Sequence, residues 1–232
     1  MRIVPALALL VAPALLAPTA LADPAGTGEW DLGVKASTLG VGLEVRRSFS
    51  PEFALRGSFN SYGYDLSEEV DDVEYDGQLE LQSGGLVADW HPMGNGFRLS
   101  AGLFLNGTEL DVDAEPSGGT FEFDGQTYTA AEVGRAEGTA DFNTIAPYLG
   151  VGYRGSFGGD GRLALTFDAG VLFQGEPSFD LEVTCGPTVP TVRCAQLQAD
   201  VDEERQQFEE DADGIAYYPV LSLGLTYRLG GD

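Results

Sequence analysis

The stretch Arg162-Leu163-Ala164-Leu165-Thr166-Phe167-Asp168-Ala169-Gly170-Val171-Leu172-Phe173-Gln174 alternates between two kinds of side chain. Apolar side chains occupy every odd position, and most even positions hold charged, polar or small residues. Successive side chains of a β-strand point to opposite faces, so such a strand has one apolar face and one largely polar face. A wall between lipid and a polar lumen requires this arrangement, and the alternation recurs through the chain. The pattern predicts a barrel that spans a membrane.

Eight stretches of this kind can be recognised. The predicted strands cover residues 29–37, 38–46, 53–60, 77–91, 97–106, 143–156, 162–174 and 215–229. Short connections near Pro51, Gly94 and Gly159 alternate with long ones, except for the tight connection between the first two strands. Short turns at one end and long loops at the other are typical of bacterial outer-membrane barrels, whose long loops are extracellular. We therefore predict an all-β fold, an eight-stranded antiparallel up-and-down transmembrane β-barrel with long acidic extracellular loops.

The fourth predicted strand changes its apolar face part-way along. Leu79 and Leu81 place the apolar side chains at odd positions, whereas Leu86 and Trp90 place them at even positions. The change occurs around Gly84-Gly85, and a glycine within a strand often marks a β-bulge, which absorbs one extra residue. We predict a β-bulge at this glycine pair.

The N-terminus has the pattern of an export signal. Met1 and Arg2 form a short basic start, residues 3–16 are almost wholly apolar, and Ala20-Leu21-Ala22 matches a signal-peptidase site. A transmembrane helix needs about 20 uninterrupted apolar residues, and prolines interrupt this run. We predict a cleaved signal peptide over 1–22 and one barrel domain over 23–232, exported through the inner membrane to the bacterial outer membrane.

The chain is strongly acidic, with a formal net charge of −25. This charge argues against binding to nucleic acid, because the phosphates of nucleic acid would repel it. The segments 65–76, 109–141 and 176–213 hold 27 of the 37 acidic residues, with three arginines and no lysine. We interpret these three segments as the long loops of the barrel.

Two groups of carboxylates in these segments are candidate ligands for divalent cations, which oxygen ligands bind. They are Asp71, Asp72, Glu74 and Asp76 in one loop and Glu209, Glu210, Asp211 and Asp213 in another. Calcium or magnesium could instead bridge the loops to the phosphates of neighbouring lipopolysaccharide. No EF-hand spacing is present, and a solvated acidic surface is the preferred interpretation.

The two cysteines, Cys185 and Cys194, are separated by eight residues. In an exported protein this pair is expected to form a disulfide. A metal pair or a reactive thiol is the alternative, but no histidine lies nearby to support it.

The segment after these cysteines has two readings. Leu197, Val201, Phe208 and Ala212 fall on one helical face within 195–213, as in an amphipathic helix. The same acidic composition also suits a disordered, solvated loop. Both interpretations stay open at this point.

The C-terminal stretch Ser222-Leu223-Gly224-Leu225-Thr226-Tyr227-Arg228-Leu229 resembles the β-signal by which outer-membrane barrels are recognised for insertion. Gly224, Tyr227 and Leu229 occupy the glycine, aromatic and hydrophobic positions of that signal. The mature chain resembles the small barrels of the OmpA-transmembrane, OmpX and OmpW type. This resemblance implies the barrel-assembly machinery, outer-membrane lipid and lipopolysaccharide as partners. It departs from that pattern at the end, where Gly230-Gly231-Asp232 extends past Leu229.

A soluble lipocalin-like barrel, with its apolar faces inward, is the rival fold. Such bulky apolar faces would overfill an eight-stranded interior. Aromatic residues near the strand ends also fit the interfacial girdles of a membrane barrel: Trp30, Trp90, Tyr153, Tyr217 and Tyr227.

The polar faces of the predicted strands place charged side chains inside the barrel. The expected lumen network comprises Lys35, Glu44, Arg46, Arg56, Glu80, Asp89, Arg98, Arg154, Arg162, Asp168 and Arg228. Buried charges must be paired, and an eight-stranded interior is just filled by side chains. We expect a filled lumen, and a narrow gated ion path is the alternative.

Catalysis finds little support in the sequence. His91, the only histidine, lies beside Trp90 and Pro92 at a short-turn end, where we expect a structural role. We predict a non-enzymatic outer-membrane barrel protein without a cofactor, with a structural or surface-interaction role. The alternatives are a gated channel or an OmpW-like conduit for small solutes, and an envelope enzyme is disfavoured.

Overall fold

The computed structural model describes residues 28–70, 73–116, 118, 120–123, 125–159, 161–187, 189–211 and 216–229. These residues form strands joined mostly in antiparallel pairs, together with one long helix. In chain order the elements are β1 (Trp30–Ser37), β2 (Gly40–Ser48), β3 (Phe53–Val70), β4 (Val73–Trp90), β5 (Phe97–Asn106), β6 (Glu109–Pro116), β7 (Thr120–Phe123), β8 (Gln126–Thr129), β9 (Val133–Asp141), β10 (Ile145–Phe157), β11 (Leu163–Phe173), β12 (Ser178–Cys185), α1 (Thr191–Asp211) and β13 (Tyr217–Leu229).

Eight of these strands close into a barrel. Around the barrel the order is β1, β2, β3, β4, β5, β10, β11 and β13, and each strand is antiparallel to its neighbours. The first and last strands close it, with Trp30 opposite Leu229 and Ser37 opposite Ser222. The predicted eight-stranded antiparallel up-and-down barrel is thereby confirmed. We call the end with the short connections after β2, β4 and β10 the turn end, and the opposite end the loop end.

At the loop end, five strands extend past the barrel: the far halves of β3 and β4, and the separate strands β6, β9 and β12. Strands β3 and β4 stay paired up to Val70 opposite Val73, although β2 pairs with β3 only as far as Ser61. Strand β6 continues the ladder of β5 on β4, and β9 continues the ladder of β10 without a change of register. Strand β12 follows at the edge. We call the far halves of β3 and β4, with β6, β9 and β12, the loop-end sheet.

One face of the loop-end sheet carries its own small core. Helix α1 packs against β12, and the β7–β8 hairpin lies beside the helix. The buried apolar residues there are Ala114, Tyr128, Val133, Ala136, Val183, Leu197 and Val201. The disulfide between Cys185 and Cys194 ties the end of β12 to the start of α1, with a Cα–Cα distance of 5.8 Å. The predicted disulfide is therefore present.

The acidic segments expected to be loops thus contain strands and a helix. In β6 and β12 the acidic residues alternate with apolar ones, as in Asp180-Leu181-Glu182-Val183, so one face is charged and the other packs. Of the two interpretations of the segment 195–213, the helix is the correct one, and α1 begins earlier, at Thr191. Its predicted apolar residues Leu197 and Val201 are buried in the small core.

Around the barrel itself the apolar side chains point outward. They are between 37% and 64% exposed, and they form a continuous band that we call the apolar belt. Its members are Trp30, Leu32, Val34, Val41, Leu43, Val45, Phe53, Leu55, Phe59, Leu86, Trp90, Leu99, Leu103, Leu105, Ile145, Leu149, Val151, Tyr153, Phe157, Leu165, Phe167, Tyr217, Leu221, Leu223, Leu225, Tyr227 and Leu229.

The predicted β-bulge in the fourth strand was wrong. Gly84 lies opposite Phe59 and Gly85 opposite Ser58, and the ladders on both sides of β4 continue without a shift. Odd residues of β4 face inward along the described part of the strand, including Leu81 and Val87. The apolar residues change from even to odd positions because the strand passes from the apolar belt, where the outer face is apolar, into the loop-end sheet, where the inner face is apolar.

Several predictions concern residues outside the described part of the chain. These are the signal peptide over 1–22 and the extension Gly230-Gly231-Asp232, together with Asp71, Asp72, Ala212 and Asp213. The side chains of Glu74, Phe208, Glu209, Glu210 and Asp211 also lie outside that part.

Candidate functional site

The centre of the barrel lumen holds a cluster of two arginines and three carboxylates. Arg98 Nη2 donates to both carboxylate oxygens of Asp168, at 2.7 and 2.8 Å. Arg56 Nη1 lies 3.2 Å from Glu44 Oε2 and 3.3 Å from Asp168 Oδ2. Arg56 Nε lies 2.7 Å from Asp89 Oδ2, and Arg56 Nη2 donates to Asp89 Oδ1 at 3.1 Å. Arg98 and Asp89 have no exposed surface.

A second cluster lies nearer the turn end and is organised by Asp31. One oxygen of this carboxylate accepts from Arg46 Nη1 at 2.9 Å, and the other accepts from Arg154 Nη2 at 3.0 Å. Arg228 Nε lies 3.8 Å from the same carboxylate and 3.2 Å from Glu29 Oε2. Three guanidinium groups thus share two carboxylates, and Asp31 is 1% exposed.

Asp31 was missed by the sequence reading. It lies between Trp30 and Leu32, both in the apolar belt, so its inward position follows from the alternation. Small polar side chains were missed as well, among them Ser100, whose hydroxyl donates to Asp89 Oδ1 at 2.7 Å. The alternation of side chains along each strand could have identified them, because every second residue of a barrel strand faces the lumen.

Three predicted lumen residues stand apart from these clusters. Lys35 faces inward between Gly42 and Gly224, is partly exposed, and makes no ion pair within 4.0 Å with another described residue. Glu80 is not in the lumen, since it is exposed on the outer face of the loop-end sheet, opposite Glu109. Its placement was wrong because the polar face of β4 points outward above the belt. Arg162 lies at the turn end and contacts the Tyr227 hydroxyl at 3.5 Å.

An apolar layer covers the charged clusters on the loop-end side of the lumen. Its buried members are Leu39, Val87, Phe104, Ala146, Tyr148, Leu172 and Val220, with Tyr218 packed against them. The rings of Phe104 and Tyr148 meet edge to face, with their centroids 5.5 Å apart. The Tyr148 ring lies over Gly170, where a Cβ would collide with it at 2.6 Å. Small residues on the inner wall therefore make room for large ones, which fill the lumen.

The proposed insertion-signal residues lie on the closing strand β13. Gly224 faces the lumen beside Thr166, whereas Tyr227 and Leu229 are exposed in the apolar belt. Tyr227 is opposite Leu32 of β1, so this part of the strand takes part in closing the barrel.

A third group of polar side chains anchors helix α1. Tyr128 is fully buried, donates its hydroxyl hydrogen to Asp200, and lies under the Arg193 guanidinium, 4.3 Å from the ring centroid. Burial and this hydrogen bond raise the pKa of Tyr128 to about 12. Hydrogen bonds from the Thr129 backbone N–H and from Arg193 lower the pKa of Glu132 to about 2.

His91 lies in the described part of the chain, whereas Asp76 is the one candidate metal ligand whose side chain is described. His91 is buried after β4 at the turn end, with Nδ1 3.4 Å from the Glu52 carbonyl oxygen. Within the described ranges, no three His, Cys, Asp or Glu side chains are grouped so that they could hold a metal ion. No helix in the same ranges is both long and apolar enough to cross a membrane.

No family model matches the sequence, and no curated protein matches it either. The structure is similar to two crystal structures from Acinetobacter baumannii. CarO2 has a TM-score of 0.57 and 17% identity, over 88% of this chain and 100% of that chain. CarO has a TM-score of 0.55 and 18% identity, over 89% of this chain and 100% of that chain.

A third structure, of Ail from Yersinia pestis, covers 88% of this chain at 14% identity. The match includes 100% of that chain, but its TM-score of 0.37 is too low to carry an argument. In fold, the chain is thus similar to the CarO structures, with a closed eight-stranded antiparallel barrel.

Proposed function

We propose that this protein is an outer-membrane β-barrel with a sealed lumen, and that its loop-end sheet provides a structural or surface-interaction role outside the cell. The apolar belt supports the membrane location, because bulky side chains such as Leu43 and Leu105 are more than 60% exposed around the barrel. A soluble protein rarely exposes so large an apolar surface. The predicted signal peptide and the C-terminal β-signal support export and insertion by the barrel-assembly machinery.

The observation that carries the proposal is the filled lumen. Arg98 and Asp89 are completely buried in the central ion pairs, and Leu172 is completely buried in the apolar layer next to them. Water-filled channels occur in larger barrels, whereas an eight-stranded interior is filled by side chains. With the lumen closed, the folded loop-end sheet is the part of the chain that is available for contacts outside the membrane.

The loop end is assigned to the cell exterior because outer-membrane barrels have short turns on the periplasmic side. Outer-membrane lipid and lipopolysaccharide are then the surroundings of the belt. The acidic outer face of the loop-end sheet, with Glu80, Glu109 and Asp141 in register, would lie next to lipopolysaccharide phosphates. Divalent cations bound between these carboxylates and phosphates remain part of the proposal.

A narrow gated conduit is the second candidate. In the lumen, Arg98 Nη1 and Asn60 Oδ1 have no hydrogen-bond partner within the described part of the chain. Polar groups of this kind could line a hydrated path if the apolar layer moved aside. A catalytic role is not proposed, since the single histidine lies at the turn end, away from the loop-end sheet.

The test is a pair of measurements on the mature chain. Boiling should shift the gel mobility of the detergent-purified protein and abolish its β-type circular dichroism, as expected for a membrane barrel. In planar bilayers, we expect no discrete conductance steps from the wild type. The variant Phe104→Ala with Tyr148→Ala removes the bulk of the apolar layer and serves as the control for an opened lumen.

Regular conductance steps from the wild-type protein would overturn the sealed lumen and favour the conduit. A protein that needs no detergent and shows no shift on boiling would overturn the membrane assignment.

A further inference from the structure

The inner face of the loop-end sheet contains a trough. Its floor is the central strand β9, whose inward residues Ala136, Gly138 and Ala140 are all small. Gly138 and Ala140 each lie between larger residues of the two neighbouring strands, and Ala136 lies between Ala114 and Val183. Gly138 is flanked by Val112 and Leu181 in register. The small floor residues and their larger neighbours therefore form the trough along β9.

Other elements complete the lining of the trough. Leu110 and Phe179 flank Ala140 from the two neighbouring strands, and Phe121 of β7 and Arg205 of α1 also contribute. The trough is partly open to solvent and has a volume of about 360 Å³. Pockets for small molecules begin at about 300 Å³ and are lined mostly by apolar side chains.

Gly138 leaves space for a side chain above the floor, as far as the described residues go. A Cβ built at this position would meet Leu181 Cδ1 at 3.6 Å and the Val112 carbonyl oxygen at 3.9 Å, which are ordinary contacts. A glycine inside a strand weakens the strand, and it often marks a place where another group approaches closely. Here a side chain would fit at the glycine position, so the floor of the trough is deeper than the packing of the described residues requires.

The charge around the trough selects among apolar ligands. The segments 109–141 and 176–211 contain 19 acidic residues and three arginines. Asp180 belongs to the lining although its side chain alternates to the outer face of β12, and Arg205 of α1 is the other charged residue of the lining. A field of this sign repels anions and attracts cations at the mouth of the site.

We propose that this trough binds one small apolar molecule whose polar group is uncharged or cationic. The apolar part lies on Gly138 between Val112 and Leu181, and the polar group points toward the acidic rim. The site is separate from the barrel lumen, so it does not depend on whether the lumen conducts.

The test uses the full mature chain in lipid nanodiscs and three probes with the same naphthalene ring. These are 1-naphthalenemethanol, 1-naphthylmethylammonium and 1-naphthoate, which are neutral, cationic and anionic. Binding is measured by calorimetry, with empty nanodiscs subtracted. We expect one site per chain for the neutral and cationic probes and at least about fivefold weaker binding of the anion.

Two matched variants then locate the site. Gly138→Leu fills the trough and should weaken binding of the neutral probe by about tenfold or more. Glu137→Leu adds the same side chain one residue away on the opposite, exposed face of β9 and should leave the Kd of the neutral probe within about twofold.

Protease cleavage of α1 checks that the variant is folded. If α1 is cleaved faster in Gly138→Leu than in the wild type, Ala140→Leu replaces it as the filling variant. Equal binding of the neutral probe to the folded filling variant and the wild type would overturn the site. So would binding to the wild type no stronger than to empty nanodiscs. Tightest binding of the naphthoate would overturn the proposed ligand class.

Discussion

The loop-end sheet continues strands and ladders of the barrel, but the two regions turn opposite faces to their surroundings. In the barrel, Phe59, Leu105 and Ile145 point outward, and charged side chains point inward. In the loop-end sheet, Leu110 and Leu181 point inward and carboxylates point outward. Phe59, Gly84, Leu105 and Ile145 form one row across four strands in register, at the level of the change. The outside solvent therefore decides which face is apolar.

Breaking an ion pair should cost much more in the barrel than in the loop-end sheet. Asp168→Asn leaves Arg98 buried without its carboxylate, which should cost about 3–5 kcal/mol. Asp113→Asn breaks an exposed pair with Arg135, which should cost under about 1 kcal/mol. Hydrogen exchange resolved to β10–β11 and to β6–β9 measures both effects in their own regions. Equal costs would contradict the contrast between the two regions.

An arginine placed on the outer face should destabilise the protein in the apolar belt but should be tolerated in the loop-end sheet. Leu103→Arg places a charge in the middle of the belt and should cost about 2–4 kcal/mol, because lipid does not solvate it. Glu109→Arg lies on the continuation of the same strand line, next to Glu80 and Asp141, and should be tolerated. Denaturant unfolding from lipid vesicles, followed by the fluorescence of Trp30 and Trp90, gives the comparison. Tolerance of Leu103→Arg would show that the belt does not face lipid.

Removing the disulfide should loosen the loop-end sheet and leave the barrel intact. Replacing Cys185 and Cys194 together by serine opens a short loop between β12 and α1, which should cost about 2–3 kcal/mol. The variant should be nicked faster by protease within α1, while its shift on boiling stays unchanged. Loss of the boiling shift would show that the two regions fold as one unit.

Acid should weaken the anchor of helix α1. Because the folded pKa of Glu132 is lowered from 4.5 to about 2, its contribution is complete above pH 4.5 and is lost as pH falls toward 2. Protease nicking of α1 in the wild type should therefore approach that of Glu132→Gln over this range. A constant difference between them down to pH 2 would show that this carboxylate does not anchor the helix.

Alkali should produce the smallest change, and it should do so at Tyr128, which also anchors helix α1. The pKa of Tyr128 is raised from 10 to about 12, so its contribution is complete below pH 10 and is lost as pH rises toward 12. Phenolate absorbance of the wild type minus that of Tyr128→Phe should titrate near pH 12. A midpoint near 10 would mean that the ring is neither buried nor bonded to Asp200.

Much of the barrel was predictable because successive side chains of a barrel strand alternate between its outer and inner faces. Strand β5 was predicted with its observed bounds, and the disulfide was also predicted. The helix was one of two interpretations of its segment, and its predicted residues Leu197 and Val201 are buried. The loop-end sheet was missed, since its inner-face residues are often as small as Ala136 and Gly138 and the acidic residues dominate its composition. In the loop-end sheet the acidic residues alternate with apolar ones, but the alternation alone does not show which face of the sheet packs.

The candidate site was only half predictable for a related reason. Parity identifies that Arg56, Arg98 and Asp168 face the lumen, but not which of them touch. Arg56 and Asp168 are 112 residues apart in the chain, and only barrel closure places them together. The same holds for the apolar layer, where Leu39 from one turn meets Val220 from the last strand.

The sequence by itself determined the barrel, its strand number and its belt, because the alternation of each barrel strand separates an apolar outer face from a polar inner face. The tertiary structure alone decided the pairing of the buried charges and the position of Glu80. It also decided the existence of the trough over Gly138. These features depend on register between strands distant in the chain, and register is set by how the closed sheet pairs.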